Sequence, residues 1–252
     1  MFGRIKNWLH RREQMRKFYS QLAEFRKSAS AGKPHLPVPV SSHIPFLDDN
    51  TGVTHFDRHY IYHIAWACRV VKEINPDLHV DFSSSLHFCT ALSAFIPVKF
   101  YDYRPAALGL DNLNSEHGDL TSIALPDNSV KSLSCMHTVE HVGLGRYGDP
   151  IDFYGDVKAV NELKRILSPG GNLLFVVPVG APRVEFNGQR IYSFENVMNF
   201  FEGFTLKEFS LIPDNASTGG LIRNCDPDLV ARQKNACGCF LFVKKRAVND
   251  NR

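Results

Sequence analysis

The chain has 252 residues, 44% of them hydrophobic and 22% charged, which suits one large α/β domain or two small ones and excludes a disordered polymer. The net charge of +3 is unevenly spread, with a net +6 in residues 1–30 and −3 in the remainder; a slightly acidic body excludes a broad nucleic-acid groove, because it cannot neutralise phosphates. No stretch approaches the ~18 uninterrupted apolar residues of a membrane span, and charges break up the N-terminus where a secretory signal has its apolar core, so a soluble, cytoplasmic protein is expected.

Residues 2–28 read as a helix, with Phe2, Ile5, Trp8 and Leu9 on one side and Phe18, Leu22 and Phe25 continuing at helical spacing. Its eight Lys and Arg residues suit packing on a domain, contact with a protein partner, or peripheral attachment to the inner face of an anionic membrane. A Pro/Ser/Gly-rich connector follows from Ser28 to Ser42. From Phe56 to Ile74 apolar residues recur every three or four positions (Phe56, Tyr60, Ile64, Ala67, Val71, Ile74), predicting an amphipathic helix stopped by Asn75-Pro76. Leu78–Phe82, Val98–Asp102, Val130–Met136 and Asn172–Val177 then read as buried strands, with helices over His87–Phe95 and Tyr154–Leu167. Strand alternating with helix predicts right-handed crossovers and a parallel sheet. Thr205–Ile212 and Phe240–Lys244 leave no room for a helix between every pair and suit an antiparallel hairpin closing the sheet edge. The division predicted is a basic helix and linker over 1–50, the main domain over 51–246 and a disordered tail over 247–252.

In an open parallel sheet, ligands bind beyond the C-terminal strand ends. The segments found there are Asp81-Phe82-Ser83-Ser84-Ser85, Tyr101-Asp102-Tyr103, His117-Gly118-Asp119-Leu120 and His137-Thr138-Val139-Glu140-His141. An acidic residue ending a second strand can accept both hydroxyls of a ribose. One followed by an apolar residue after the third strand can hold an adenine amino group while its neighbour packs on the ring.

In this order and spacing the chain resembles the class I S-adenosylmethionine-dependent methyltransferases. Leu167-Ser168-Pro169-Gly170-Gly171 leading into an apolar strand is characteristic of them. More narrowly, His141-Val142-Gly143-Leu144-Gly145-Arg146-Tyr147-Gly148-Asp149-Pro150 and Asn187-Gly188-Gln189-Arg190-Ile191-Tyr192 look like a small methyltransferase-like family with nematode and bacterial members, some of the latter beside surface-polysaccharide genes. The resemblance covers roughly residues 56–244. It implies a doubly wound, seven-stranded, mostly parallel sheet with an N-terminal helical extension. S-adenosylmethionine is the implied cofactor, with Asp102 and Tyr103 at the ribose, Asp119 and Leu120 at the adenine, Asp81, Ser83 and Ser85 at the methionine end, and His137 lining the site. A departure stands out: the superfamily's Gly-x-Gly loop after the first strand is replaced by serines, which reach positive φ less cheaply than glycine but can hydrogen-bond a carboxylate near a helix N-terminus.

Methyl transfer to a hydroxyl benefits from a general base, for which His141 is the candidate, with Glu140 or Asp149 orienting it. Arg146, Tyr147, Arg190 and Tyr192 have the chemistry to hold a polar, sugar-like or anionic acceptor; the alternative is a local Arg146–Asp149 ion pair fixing the loop. No metal is expected. Cys225, Cys237 and Cys239 lack a fourth ligand at zinc-like spacing, and His137-Thr138-Val139-Glu140-His141 fits the H-x-x-E-H pattern but follows a strand and meets Gly143 too soon to form the needed helix. The expected function is S-adenosylmethionine-dependent methyl transfer to a small or carbohydrate hydroxyl. The rival is a non-catalytic methyltransferase-like partner or scaffold in glycan assembly, which the missing glycines favour.

Overall fold

The computed structural model describes residues 2–39, 41 and 43–246; the tail expected over 247–252 lies outside them. The chain divides into two compact units, residues 1–56 and 57–252.

The first unit is built on α1 (Phe2–Ser30). Half-buried Met15, Phe18 and Leu22 lie on its inner side, where Phe18 and Tyr19 meet His43. Gln14 donates to the Leu47 carbonyl (2.8 Å) and Arg11 pairs with Asp48 (3.2 Å). The continuous apolar face expected along this helix does not form. At 100° per residue the early group (Ile5, Leu9) and the late group (Phe18, Phe25) point to opposite sides, and Ile5, Trp8, Leu9 and Phe25 are exposed.

The second unit begins with α2 (Arg58–Ile74), capped by the Asp57 carboxylate and closed by Asn75 in the left-handed conformation. Its buried residues are His63, Trp66, Ala67, Val70 and Val71, so the inward stripe is rotated from the expected one: Phe56 and Tyr60 are exposed, and a histidine takes a core position. The strands and helices that follow are β1 (His79–Phe82), α3 (Leu86–Ser93), β2 (Val98–Asp102), β3 (Leu113–His117), β4 (Val130–Met136), α4 (Gly155–Ile166) and β5 (Leu167–Val179). After them come a hairpin, β6 (Arg183–Glu185) and β7 (Gln189–Ile191), then α5 (Phe194–Phe200), β8 (Phe204–Ile212) and β9 (Ala236–Lys244). The pattern predicts neither the hairpin nor α5, since each is shorter than the window over which a period reveals an element.

The main sheet has seven strands in the order β3-β2-β1-β4-β5-β9-β8. Its first five strands are parallel, and β9 runs antiparallel to both β5 and β8, which is the predicted closing hairpin. Alternation along the strands feeds two cores. One face, with Leu173, Phe175, Val177, Phe240 and Phe242, packs against α4 and α5; the other, with Leu174, Val176, Cys237 and Cys239, packs against α2 and α3. Helices on both faces make the domain doubly wound. Among the described residues no helix is long and apolar enough to cross a membrane.

Candidate functional site

A cavity of about 290 Å³ opens at the C-terminal ends of β1, β2 and β4. Ser83 and Ser84 enter it after β1, Asp102, Tyr103 and Arg104 at the end of β2, and Gly118 to Thr121 after β3. His137, Thr138 and His141 come from beyond β4, Tyr147, Asp149 and Asp152 from the next loop, and Tyr60 from α2. A smaller cavity of about 110 Å³ shares Gly118 and Asp119 and is lined by Phe82 and Tyr101, whose rings stack at 5.0 Å.

The serine loop is held by its own hydroxyls. Ser83 takes φ +55°, the left-handed conformation in which a glycine would be unstrained. Its N–H donates to the Tyr101 carbonyl (2.8 Å) and its hydroxyl to the same oxygen (3.2 Å). Thr138 donates to the Ser83 carbonyl (2.8 Å), and the Ser84 hydroxyl accepts the Met136 N–H (2.9 Å). The loop is thus stitched to β2 on one side and β4 on the other.

Asp81 and Ser85, expected at the methionine end of a cofactor, do not line the cavity. Asp81 is fully buried; it accepts the Ser84 N–H (3.0 Å) and the Ser134 hydroxyl, so it shapes the loop from behind. His79 continues this network through Ser132 and Ser134, both at 2.8 Å. Burial raises the Asp81 carboxyl to about 6 and lowers His79 to about 3. Ser85 caps α3, accepting the His87 N–H (3.2 Å).

Asp102 and Asp119 both face the cavity, and each has one oxygen engaged locally. Asp102 Oδ1 accepts the Arg104 N–H (2.7 Å), and Asp119 Oδ1 accepts the N–H and hydroxyl of Thr121 (both 2.7 Å). Leu120 lies beside them.

Beyond β4, His137 also has positive φ (+55°). Its Nδ1 lies 3.0 Å from Glu140 Oε1, and its ring is flanked by those of His59, Tyr60 and His63. Burial lowers His59 and His137 to about 4 and His63 to about 3, so all three are neutral near pH 7. Burial raises the Glu140 carboxyl to about 7, and Glu140 sits behind the cavity wall instead of lining it. His141 lines the cavity. Its Nδ1 donates to the Gly188 carbonyl (2.6 Å), which leaves the lone pair on Nε2, 3.9 Å from Glu140 Oε1.

Asp149 does not orient His141. Its carboxylate accepts the N–H groups of Gly143 (2.7 Å), Gly145 (3.3 Å) and Tyr147 (3.2 Å), folding the loop on itself. Arg146 lies on the Tyr147 ring (5.2 Å) and reaches Gly188 (3.4 Å), so the alternative of an Arg146–Asp149 pair is replaced by this arrangement. Tyr147 does face the cavity, with Arg104 over its ring at 4.6 Å. Arg190 and Tyr192 do not contact an acceptor space. Arg190 is buried and donates to the carbonyls of Val142 (2.6 Å), Asp152 (3.3 Å) and Phe153 (3.0 Å), with Asp156 at 3.5 Å. The Tyr192 hydroxyl donates to Asp156 (3.0 Å). Both residues fasten the hairpin β6–β7 and the loop over the site.

One cluster joins residues that no local spacing connects: donor atoms of His59, His137 and Cys237 lie within 4.8 Å of one another. The signal available in the sequence was His59 and His63 on the same helical face as Trp66, Ala67 and Val70.

Residues 127–216 match the family described as Caenorhabditis protein of unknown function, DUF268. No curated protein matches the sequence. Among solved structures, the N-methyltransferase NodS from Bradyrhizobium japonicum, in complex with S-adenosyl-L-homocysteine, is 15% identical with a TM-score of 0.53, over 82% of this chain and 94% of that one. The YcgJ protein from Bacillus subtilis is 13% identical with a TM-score of 0.51, over 73% and 98%. Likeness at these identities shows the fold, and that fold is the Rossmann-like one of the class I S-adenosylmethionine-dependent methyltransferases.

Proposed function

We propose that the chain is an S-adenosylmethionine-dependent methyltransferase acting on a small or carbohydrate hydroxyl acceptor. The observation that carries this reading is the pair of carboxylates, Asp102 and Asp119, facing one cavity with the serine loop at the C-terminal strand ends. Each keeps a second oxygen beyond its local bonds, which suits a ribose diol and an adenine amino group. These two acceptors therefore fit the nucleoside, and Ser83 and Ser84 border the part of the cavity nearest the N-terminus of α3, where a carboxylate is favoured. When bound, S-adenosylmethionine supplies an electrophilic methyl group. His141 is the base in this reading: its tautomer leaves Nε2 able to take the acceptor's hydroxyl proton, and Glu140 at 3.9 Å stabilises the imidazolium that results. Tyr147, with Arg104, is positioned to border the acceptor.

Titration calorimetry with S-adenosylhomocysteine tests the reading. Micromolar affinity is expected, equivalent to about −8 kcal/mol, weakened about 10- to 100-fold in Asp102→Ala, the effect of losing hydrogen bonds to a charged group. No heat and no thermal stabilisation at millimolar ligand would overturn it. The non-catalytic partner reading draws on a different observation, the exposed Ile151, Phe153, Tyr154 and Phe186 around the loop and hairpin; it predicts that Asp102→Ala leaves the protein's role intact.

A further inference from the structure

We propose that His59, His137 and Cys237 form a binding site for a divalent transition metal of zinc type. The site goes beyond the methyl-transfer reading and does not rest on it. Its ligands come from the first turn of α2, the residue after β4 and the second residue of β9, so the fold alone brings them together. Cys237 is fully buried and the His137 side chain is 7% exposed.

Unmet hydrogen-bonding capacity points to a ligand. The Nε2 atom of His137 is buried without a partner, as is that of His63, whose ring lies 5.1 Å from that of His137. A buried polar atom left unpaired is costly and rare in native interiors. Meanwhile the opposite ring nitrogens are both oriented: His137 Nδ1 by the Glu140 carboxylate at 3.0 Å and His63 Nδ1 by the His59 carbonyl at 2.7 Å. A carboxylate or carbonyl hydrogen-bonded to the far nitrogen is the usual setting of a metal-binding imidazole, because it fixes the tautomer and aims the other lone pair.

The donor set, two imidazoles and a thiolate, suits zinc. Tetrahedral ligation at ~2.0–2.3 Å sets ligand atoms about 3.4–3.8 Å apart, so atoms already within 4.8 Å need close by about 1–1.4 Å, with the His59 ring, stacked on that of His137 at 5.5 Å, turning to aim its nitrogen at the ion. The fourth position falls to water or to His63 Nε2. Bound there, the ion would tie the start of α2, which carries Tyr60 into the cavity wall, to the sheet.

The test is metal analysis of the full chain after equilibration with zinc and removal of excess. About one zinc per chain and a raised melting temperature that a chelator reverses are expected. Cobalt should give a thiolate charge-transfer band. Cys237→Ser and His59→Gln should each lose stoichiometric zinc, Glu140→Gln should weaken binding about 10- to 100-fold, and Cys239→Ser should retain it. If Cys237→Ser does not fold, the cobalt band reports the thiolate and His59→Gln, whose residue is only half-buried, supplies the ligand test. Absence of zinc from the wild type, a cobalt spectrum without the thiolate band, or binding that survives His59→Gln would overturn the proposal. S-adenosylhomocysteine affinity is a separate reading, so failure of one conclusion leaves the other standing.

Discussion

Ser83 is where local chemistry and the requirements of the fold conflict most openly. A left-handed backbone at φ +55° costs a non-glycine residue about 1–2 kcal/mol, and here the serine hydroxyl returns part of that through its bond to the Tyr101 carbonyl. Ser83→Gly should therefore leave the melting temperature nearly unchanged and keep S-adenosylhomocysteine affinity within about threefold. Ser83→Val, branched at Cβ and without the hydroxyl, should lose about 2–3 kcal/mol in urea unfolding; equal stability of the two variants would show that the loop backbone is not strained. The absence of glycine in this loop was legible in the sequence, but its consequence was not. Nothing local in Ser83-Ser84-Ser85 reveals that Thr138 and Met136, more than fifty positions away, secure it. The same holds for Asp81: its place at a strand end was readable, whereas its burial against Ser134 depends on the register in which β4 pairs with β1.

At the scale of elements, the segment from 141 to 155 and the hairpin β6–β7 form one unit through Arg190. Gly143 has φ +81°, and a Cβ there would meet the Asp152 carbonyl at 2.0 Å; the loop closes this tightly because Asp149 gathers three N–H groups and Arg190 satisfies the carbonyls on its other side. Arg190→Met would leave Asp156 buried without its cation, together with the carbonyls of Glu140, Val142, Asp152 and Phe153. Removing one member of a buried pair costs about 3–5 kcal/mol, so the urea midpoint should fall sharply. A loss below ~1 kcal/mol would show that the hairpin does not anchor the loop. In the sequence Arg190 and Tyr192 suit an acceptor, because an Arg and a Tyr beside glycines have binding chemistry. The distinction lies in burial, which a three-residue strand is too short to announce by alternation. The long buried strands β4 and β5 and the helix α4 were, by contrast, readable from their apolar runs and period.

Across the whole molecule, the acidic limit of stability follows from which ionisable groups the two cores enclose. His59, His63, His79 and His137 are held between about 3 and about 4, below an unfolded value near 6.5, so between these limits the unfolded chain binds more protons and stability rises with pH. Asp81, raised to about 6, and Glu140, raised to about 7, act in the opposite sense: their contribution is complete below the unfolded carboxyl value and is lost as pH climbs through the folded one. Among these buried groups, four against two leave a net uptake of about two protons on unfolding near pH 5, or about 3 kcal/mol per pH unit. Asp152, Glu162, Glu185 and Glu208, each held below its ordinary value by a hydrogen-bonded cation or neighbour, act in the same sense. Calorimetry with a chelator present should therefore show the melting temperature falling by about 5–10 °C per unit from pH 6 to 4.5. Asp81→Asn removes an opposing group and should steepen that fall by about one proton, while His79→Gln should flatten it by as much. A melting temperature that holds steady or rises as the pH drops from 6 to 4.5 would mean that these histidines are not buried as neutral groups, and the packing of α2 and α3 over the sheet would have to be redrawn.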